Sequence, residues 1–137
     1  VFLSSQQEEC VRQADYVIVA SALTPQTKGM VDRSTFKAMR PDALFINIAR
    51  GAIVDEDALL DALRNKQIRG AYLDVFANEP LPSDSPFFSL DNVIVMPHNS
   101  PFSQNVCKHM IEIFLENFRR YCSGEPLLNV VDKRAGY

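Results

Sequence analysis

The sequence has few glycines, and they are too far apart to form a phosphate-binding turn. It contains only Gly29, Gly51, Gly70, Gly124 and Gly136. The dinucleotide fingerprint G-x-G-x-x-G needs closely spaced glycines after a strand, so that the backbone can approach a pyrophosphate at a helix N-terminus. The 137 residues therefore lack that fingerprint.

Cysteine is also scarce. Cys10, Cys107 and Cys122 are an odd number, and they show no C-x-x-C spacing. This usage, with no secretory segment, excludes a disulfide framework and indicates a reducing compartment. We therefore expect a cytoplasmic protein whose cysteines serve as packing residues, with no metal site.

Neither an excess of basic charge nor a long apolar run is present. The formal net charge of −3 gives no positive field for nucleic acid or for an anionic membrane. Charged residues interrupt every apolar stretch, so a membrane span is not expected. With 137 residues, 47% of them hydrophobic, the chain can bury one core but not two.

Apolar strand-like runs alternate with helical patterns, which is typical of parallel βα units. We predict strands at 17–20, 44–48, 69–75 and 93–96, and helices at 4–13 and 33–39. A further helix follows Asp55, with Ala58, Leu59, Ala62 and Leu63 on its apolar face. The proline-rich segment 77–92 is predicted to be a loop, and 101–121 a long helix ended by Gly124.

Three chemically matched residues follow strands of this predicted sheet: Arg50, Glu79 and His98. Ligands of open α/β sheets bind outside the carboxyl ends of the strands, so these side chains can converge on one small molecule. A guanidinium binds a carboxylate through two hydrogen bonds, and an imidazole can donate a proton near neutral pH. A neighbouring carboxylate keeps that imidazole protonated and oriented. The set suits reduction of a 2-oxo acid.

Each of these residues taken singly has a simpler interpretation. Arg50 could be a solvated charge at a strand end, Glu79 an ordinary turn residue before Pro80, and His98 a buried core histidine. Asp74 could merely cap a turn. Their joint placement favours a site. Gly51 after Arg50 would let the backbone turn sharply beneath a ligand. His109, inside the long predicted helix, is treated as structural.

The segments 45–59, 73–82 and 97–98 resemble the D-isomer-specific 2-hydroxyacid dehydrogenase family, and 14–19 and 23–29 resemble its strand and following LTPxTxG turn. Arg50, Glu79 and His98 are spaced as the family's catalytic Arg, Glu and His are. The loop 81–86 and the ending 131–137 are most similar to the glyoxylate/hydroxypyruvate reductase branch. The resemblance implies a Rossmann-like, doubly wound parallel sheet, of which this chain is the second half.

The family's functional residues map onto matching positions. The resemblance implies NAD or NADP as cofactor, a small 2-oxo acid as substrate, and a homodimer in the intact protein. Asp74 would accept a hydrogen bond from the nicotinamide carboxamide. The cofactor-contacting positions implied by the resemblance are Ser21, Ala22, Ile48, Ala49, Arg50, Asp74 and His98.

The chain departs from the family's sequence pattern at two places, and two alternatives to the enzymatic function stay open. Ala22 stands where the family often has proline, and the family's H-x-G-x-x-T stretch is replaced by His98-Asn99-Ser100-Pro101-Phe102-Ser103. We expect 1–137 to be the C-terminal part of a dinucleotide-binding domain, with 101–137 returning toward a substrate domain that is mostly absent and the fingerprint lying before Val1. A corepressor that senses dinucleotides, or an inactive fragment of the enzyme, remains as an alternative function.

Overall fold

The computed structural model describes residues 2–136, without the side chain of Ser4. Val1 and Tyr137, the two ends of the predicted domain, lie outside the described residues. The chain divides into two compact units, the first ending at His98 and the second beginning at Asn99.

Four parallel strands form the sheet of the first unit. Helix α1 (Gln7–Val11) precedes strand β1 (Tyr16–Val19), and α2 (Arg33–Ala38) leads to β2 (Leu44–Asn47). Helix α3 (Glu56–Arg64) leads to β3 (Gly70–Leu73), and β4 (Val93–Val95) follows after a loop. The strands pair in chain order, each parallel to the next. The predicted alternation of strands and helices is therefore confirmed.

Side-chain caps fix where the two longer helices of this unit begin. The Asp32 carboxylate accepts a hydrogen bond from the Thr35 amide at the start of α2 (2.9 Å). Asp55 does the same for the Ala58 amide at the start of α3 (3.0 Å). Such caps satisfy amide groups that have no partner within the helix. Both helices therefore begin where their aspartates predict.

One face of the sheet carries the core. In register across the strands, Val17, Phe45, Ala71 and Val93 lie side by side on this face. The Phe45 ring packs edge-to-face on Phe36 of α2, with ring centroids 5.2 Å apart. The apolar positions predicted for α3 are all buried: Ala58, Leu59, Ala62 and Leu63.

The opposite face of the sheet is open in the described chain. Ile18 and Ile94 lie there in register with Ile46 and Tyr72, and they are 57% and 59% exposed. Successive right-handed crossovers that step in one direction place their connections on the same side. Because every crossover here steps the same way, the sheet has one covered face, as expected for half of a doubly wound sheet.

The second unit contains the long helix α4 (Val106–Ser123), which ends at Gly124 in the left-handed conformation. None of its residues is buried. The tail is attached to the helix through Asn117, whose side chain donates to the Leu128 carbonyl (3.2 Å) and accepts from the Leu128 amide (2.7 Å). In the part of the chain that the structure describes, no helix has both the length and the hydrophobicity of a membrane span.

Several local predictions need correction. Segment 4–13 begins as a 3-10 turn, Ser4–Gln6, and α4 begins later and ends later than predicted. The loop 77–92 contains a 3-10 turn at Pro86–Ser89 that buries Phe87, because this ring packs on Phe76. The cysteines were expected to pack inside the protein. That prediction was wrong: all three are exposed, Cys107 and Cys122 because α4 buries no side chain.

Candidate active site

The parallel strands bring the predicted site residues to one edge of the sheet. Ser21 and Ala22 follow β1, whereas Ile48, Ala49 and Arg50 follow β2. Asp74 and Glu79 come after β3, and His98 after β4. The carboxyl ends of parallel strands share an edge, so all of these residues belong to the same end of the first unit.

His98 and Glu79 are in direct contact. The Nδ1 atom of His98 lies 2.8 Å from the Glu79 Oε2 atom, and their side chains are 38% and 35% exposed. The other carboxylate oxygen, Oε1, accepts a hydrogen bond from the Phe76 amide (2.9 Å). Because a carboxylate can only accept, Nδ1 carries a proton and Nε2 is left for other chemistry.

The charge of Glu79 is stabilised by its surroundings. Burial raises the pKa of Glu79, but hydrogen bonds from His98 and from the Phe76 amide, with the positive charges of His98 and Arg50, lower it further than burial raises it. The net pKa lies below the usual value for glutamate, so Glu79 is a carboxylate at neutral pH. As a carboxylate it can accept from Nδ1 of His98 and so orient the imidazole ring.

A cavity of about 700 Å³ adjoins this pair. Its walls are mainly apolar and include Phe76, Phe88 and Met96, and Asp74 also lines it. Small-molecule sites are typically apolar clefts with a few polar groups that fix orientation. The pair is thus the polar part of a pocket large enough for a small ligand.

His98 itself has an uncommon backbone conformation, with a φ of 54°. The left-handed region is rarely occupied by residues other than glycine, although histidine enters it more often than most. Such conformations concentrate at functional sites.

The peptide bond between Glu79 and Pro80 is cis.

Arg50 acts on the pair through its charge and not through a hydrogen bond. Its side chain is exposed, and Nη1 donates to the Ala49 carbonyl (2.6 Å). None of the hydrogen bonds among the described residues joins Arg50 to Glu79 or His98. Its positive charge is nevertheless one of the causes that lower the pKa of Glu79. The structure therefore pairs Glu79 with His98, and Arg50 influences Glu79 through its charge alone.

Asn47 shapes the turn that carries Arg50, and the sequence reasoning missed it. Asn47 is 1% exposed. Its side-chain oxygen accepts from the Ala49 amide (3.1 Å), and its side-chain nitrogen donates to the Arg50 carbonyl (3.2 Å). The feature of the sequence that indicates this role is an asparagine within an otherwise apolar strand. A buried polar group of this type needs partners, and the turn after β2 supplies them.

Gly51 is required here for close packing and not for an unusual turn. A Cβ atom at Gly51 would lie 1.9 Å from the Phe76 carbonyl carbon and 2.2 Å from the Ala77 nitrogen. Gly51 is not among the glycines with positive φ. The expectation of a sharp turn beneath a ligand is therefore replaced by a contact between two backbone segments of the site.

The loop after β1 is held by threonines. The Thr27 hydroxyl donates to the Ala22 carbonyl (2.7 Å), and the Thr24 amide donates to the Thr27 hydroxyl (2.8 Å). Gly29 then donates to the Ala52 carbonyl (2.9 Å). These bonds fix the Ala22 backbone without a proline at that position.

The chemistry of the remaining positions fits the nicotinamide end of a dinucleotide. Ser21 and Ala22 are small and exposed, and Ala49 is small and buried. Ile48 is 39% exposed, and Asp74 is fully buried with its own interaction partner. Small side chains leave room for a ring and expose backbone groups. A buried carboxylate is a strong acceptor for an amide.

Comparisons with known proteins identify the family of the chain. Residues 2–100 match the family model described as D-isomer specific 2-hydroxyacid dehydrogenase, NAD binding domain. Glyoxylate/hydroxypyruvate reductase B from Pectobacterium carotovorum is 40% identical over 120 residues, which cover 88% of this chain and 38% of that protein. The chain thus spans less than half the length of this curated relative.

Solved structures give the same result. A D-isomer specific 2-hydroxyacid dehydrogenase from Xanthobacter autotrophicus in complex with NADPH is 41% identical, with a TM-score of 0.88 over 97% of this chain and 54% of that one. An NADPH-dependent glyoxylate/hydroxypyruvate reductase from Sinorhizobium meliloti in complex with NADP is 30% identical, with a TM-score of 0.89 over 99% of this chain and 44% of that one. The Rossmann-like fold prediction is confirmed, and the chain belongs to the D-isomer specific 2-hydroxyacid dehydrogenase family, in its NAD-binding domain.

Proposed function

We propose that the protein carrying this chain reduces a small 2-oxo acid, such as glyoxylate or hydroxypyruvate, with NADH or NADPH, and catalyses the reverse oxidation. The observation that carries the proposal is the contact of His98 Nδ1 with the Glu79 carboxylate (2.8 Å), at the strand-end edge where ligands of parallel sheets bind. The names of the relatives from Pectobacterium and Sinorhizobium support this substrate class.

His98 is the proton donor of the proposed reaction. Its Nδ1 atom is bonded to Glu79, so Nε2 is the atom that protonates the carbonyl oxygen of the substrate. Protonation prevents negative charge from accumulating on that oxygen. In the oxidative direction the same atom accepts the proton from the hydroxyl group. Glu79 stabilises the imidazolium and fixes its orientation.

Arg50 is the proposed carboxylate ligand. A guanidinium has five N–H donors, so its bond to the Ala49 carbonyl leaves others for a carboxylate. Two parallel hydrogen bonds would hold a 2-oxo acid by its carboxylate and orient its carbonyl carbon. The positive charge also polarises that carbonyl.

The nicotinamide cofactor would be held by the loops after the first three strands. The backbone of Ser21, Ala22, Ile48 and Ala49 would contact it, and Asp74 would accept a hydrogen bond from its carboxamide. When bound, the reduced cofactor supplies the hydride. Homodimerisation of the intact protein and a cytoplasmic location remain predictions.

A substrate survey tests the proposal. The full-length protein carrying this chain would be purified and assayed with NADH and with NADPH, using glyoxylate, hydroxypyruvate and pyruvate. We expect cofactor oxidation that depends on one of these 2-oxo acids. Tight cofactor binding without turnover of any of them would instead favour a dinucleotide-sensing corepressor.

A further inference from the structure

The backbone between Phe76 and Glu79 connects β3 to the site and is held on several sides. The Phe76 amide donates to Glu79 Oε1 (2.9 Å), and Gly51 lies against the peptide between Phe76 and Ala77. The next amide along the chain, that of Ala77, donates to Glu56 Oε1 (2.7 Å). Two consecutive amides thus bind two different carboxylates, one in the site and one on α3.

Glu56 is the first residue of α3, where an acidic side chain ordinarily stabilises the helix through its dipole. The helix already has a side-chain cap in Asp55. Glu56 is partly buried and bonds to a different segment, whereas its neighbour Asp57 on the same turn is exposed. Glu56 therefore has a specific contact in addition to any interaction with the helix dipole.

The electrostatic setting agrees with a specific contact. Burial raises the pKa of Glu56, the hydrogen bond from the Ala77 amide opposes that rise, and the negative charges of Asp57 and Glu79 add to it. The net pKa lies above the usual value for glutamate. Burial makes this carboxyl group costly to ionise. The hydrogen bond that it accepts from the Ala77 amide offsets part of that cost.

We propose that Glu56 is a positioning residue: it holds the Ala77 amide and so fixes the segment from which Glu79 reaches His98. The connection runs from α3 to Ala77, from the adjacent Phe76 amide to Glu79, and from Glu79 to His98. This inference rests on the proposed function, since positioning matters for turnover only if His98 is the acid.

Four variants of the full-length protein separate positioning from charge. Glu56→Gln and Glu56→Ala both remove the negative charge, but only glutamine keeps a side-chain oxygen that can accept from Ala77. Asp57→Ala removes a charge from the same helix turn without touching the loop. Glu56→Asp keeps the charge but shortens the side chain by one methylene, which moves the acceptor away from the Ala77 amide. This variant tests the contact if Glu56→Ala does not fold.

The readouts are kcat, KM and the titration of the Glu79 carboxyl group followed by carbon-13 NMR. We expect Glu56→Ala to lower kcat by about 10-fold to 10²-fold, since small misplacements of catalytic groups cost that much. The titration of Glu79 should move up toward that of an ordinary glutamate in Glu56→Ala relative to Glu56→Gln. Glu56→Asp should show an intermediate loss, and Glu56→Gln and Asp57→Ala should keep kcat near the wild-type value.

Two results would overturn the inference: an equal loss of kcat in Glu56→Gln and Glu56→Ala, or an unchanged kcat and Glu79 titration in Glu56→Ala and Glu56→Asp. A wild-type protein that reduces no 2-oxo acid would instead refute the proposed function. In that case the NMR titration alone still decides whether Glu56 positions Glu79.

Discussion

Gly51 lies directly against Phe76, with room for no side-chain atom between the two backbones. The contact joins the turn that carries Arg50 to the segment that carries Glu79. We predict that Gly51→Ala destabilises the protein by about 3 kcal/mol or more, at the upper end of overpacking costs, because rigid backbone must move. Urea unfolding measures this difference.

Gly29→Ala is the matched control for Gly51→Ala. Gly29 has a φ of 65° and no neighbouring atom within 4 Å of an added Cβ. Its replacement should cost only about 1–2 kcal/mol, from the left-handed backbone alone. Equal losses in the two variants would contradict the close-contact explanation for Gly51.

Glu79→Gln should lower kcat for 2-oxo acid reduction while keeping the fold. The charge-assisted bond to His98 is replaced by a weaker neutral one, and the difference of about 1–1.5 kcal/mol corresponds to roughly 5-fold to 10-fold in rate. Steady-state kinetics with saturating cofactor test this. A Glu79→Gln enzyme with wild-type kcat would show that the carboxylate does not support the acid.

The same residue predicts a pH dependence of stability. The pKa of Glu79 is lowered in the folded protein, so its contribution is fully present above the ordinary glutamate pKa of about 4.3. That contribution is lost as pH falls through the lowered value. The difference in unfolding free energy between wild type and Glu79→Gln should therefore shrink on acidification below about pH 4. A difference that grew on acidification would contradict the direction of the shift.

Arg50→Lys should not rescue the loss caused by Arg50→Ala. An ammonium group is a point charge and cannot reproduce the planar two-bond grip of a guanidinium on a carboxylate. We expect both variants to show a raised KM for the 2-oxo acid and a lowered kcat. Wild-type efficiency of Arg50→Lys with glyoxylate or hydroxypyruvate would refute the proposed role.

The sequence predicted the elements that local rules control. Buried parallel strands are continuous apolar runs, and Asp32 and Asp55 cap helices through short-range bonds, so both could be located. The placement of Glu79 and His98 after neighbouring strands followed from the parallel topology. This parallel topology allows the two side chains to come into contact.

Contacts that depend on tertiary packing could not be predicted. Nothing local distinguishes Glu56 from Asp57, yet only Glu56 meets the Ala77 amide. The close approach at Gly51 involves a segment distant in sequence, and the buried Asn47 acquires its role only in the turn after β2. The cysteines on α4 were predicted to pack because burial was inferred from residue type, whereas the helix buries none of its residues.

The 137-residue chain alone is predicted to bind NADH and NADPH weakly. Dinucleotide binding depends on a glycine-rich turn and a helix N-terminus for the pyrophosphate, and the five glycines of this chain are too far apart to provide that turn. Calorimetric titration of the chain, set beside the full-length protein, measures the difference. Submicromolar binding by the chain alone would reveal a phosphate site elsewhere in it.

The most direct test of the central claim compares the two histidines in the full-length protein. His98→Ala should lower kcat for 2-oxo acid reduction by on the order of 10²-fold to 10⁴-fold, the usual contribution of general acid catalysis, with little change in cofactor affinity. His109→Ala, an exposed position on α4, should leave kcat unchanged. Near-normal turnover by His98→Ala would contradict the assignment of His98 as the proton donor.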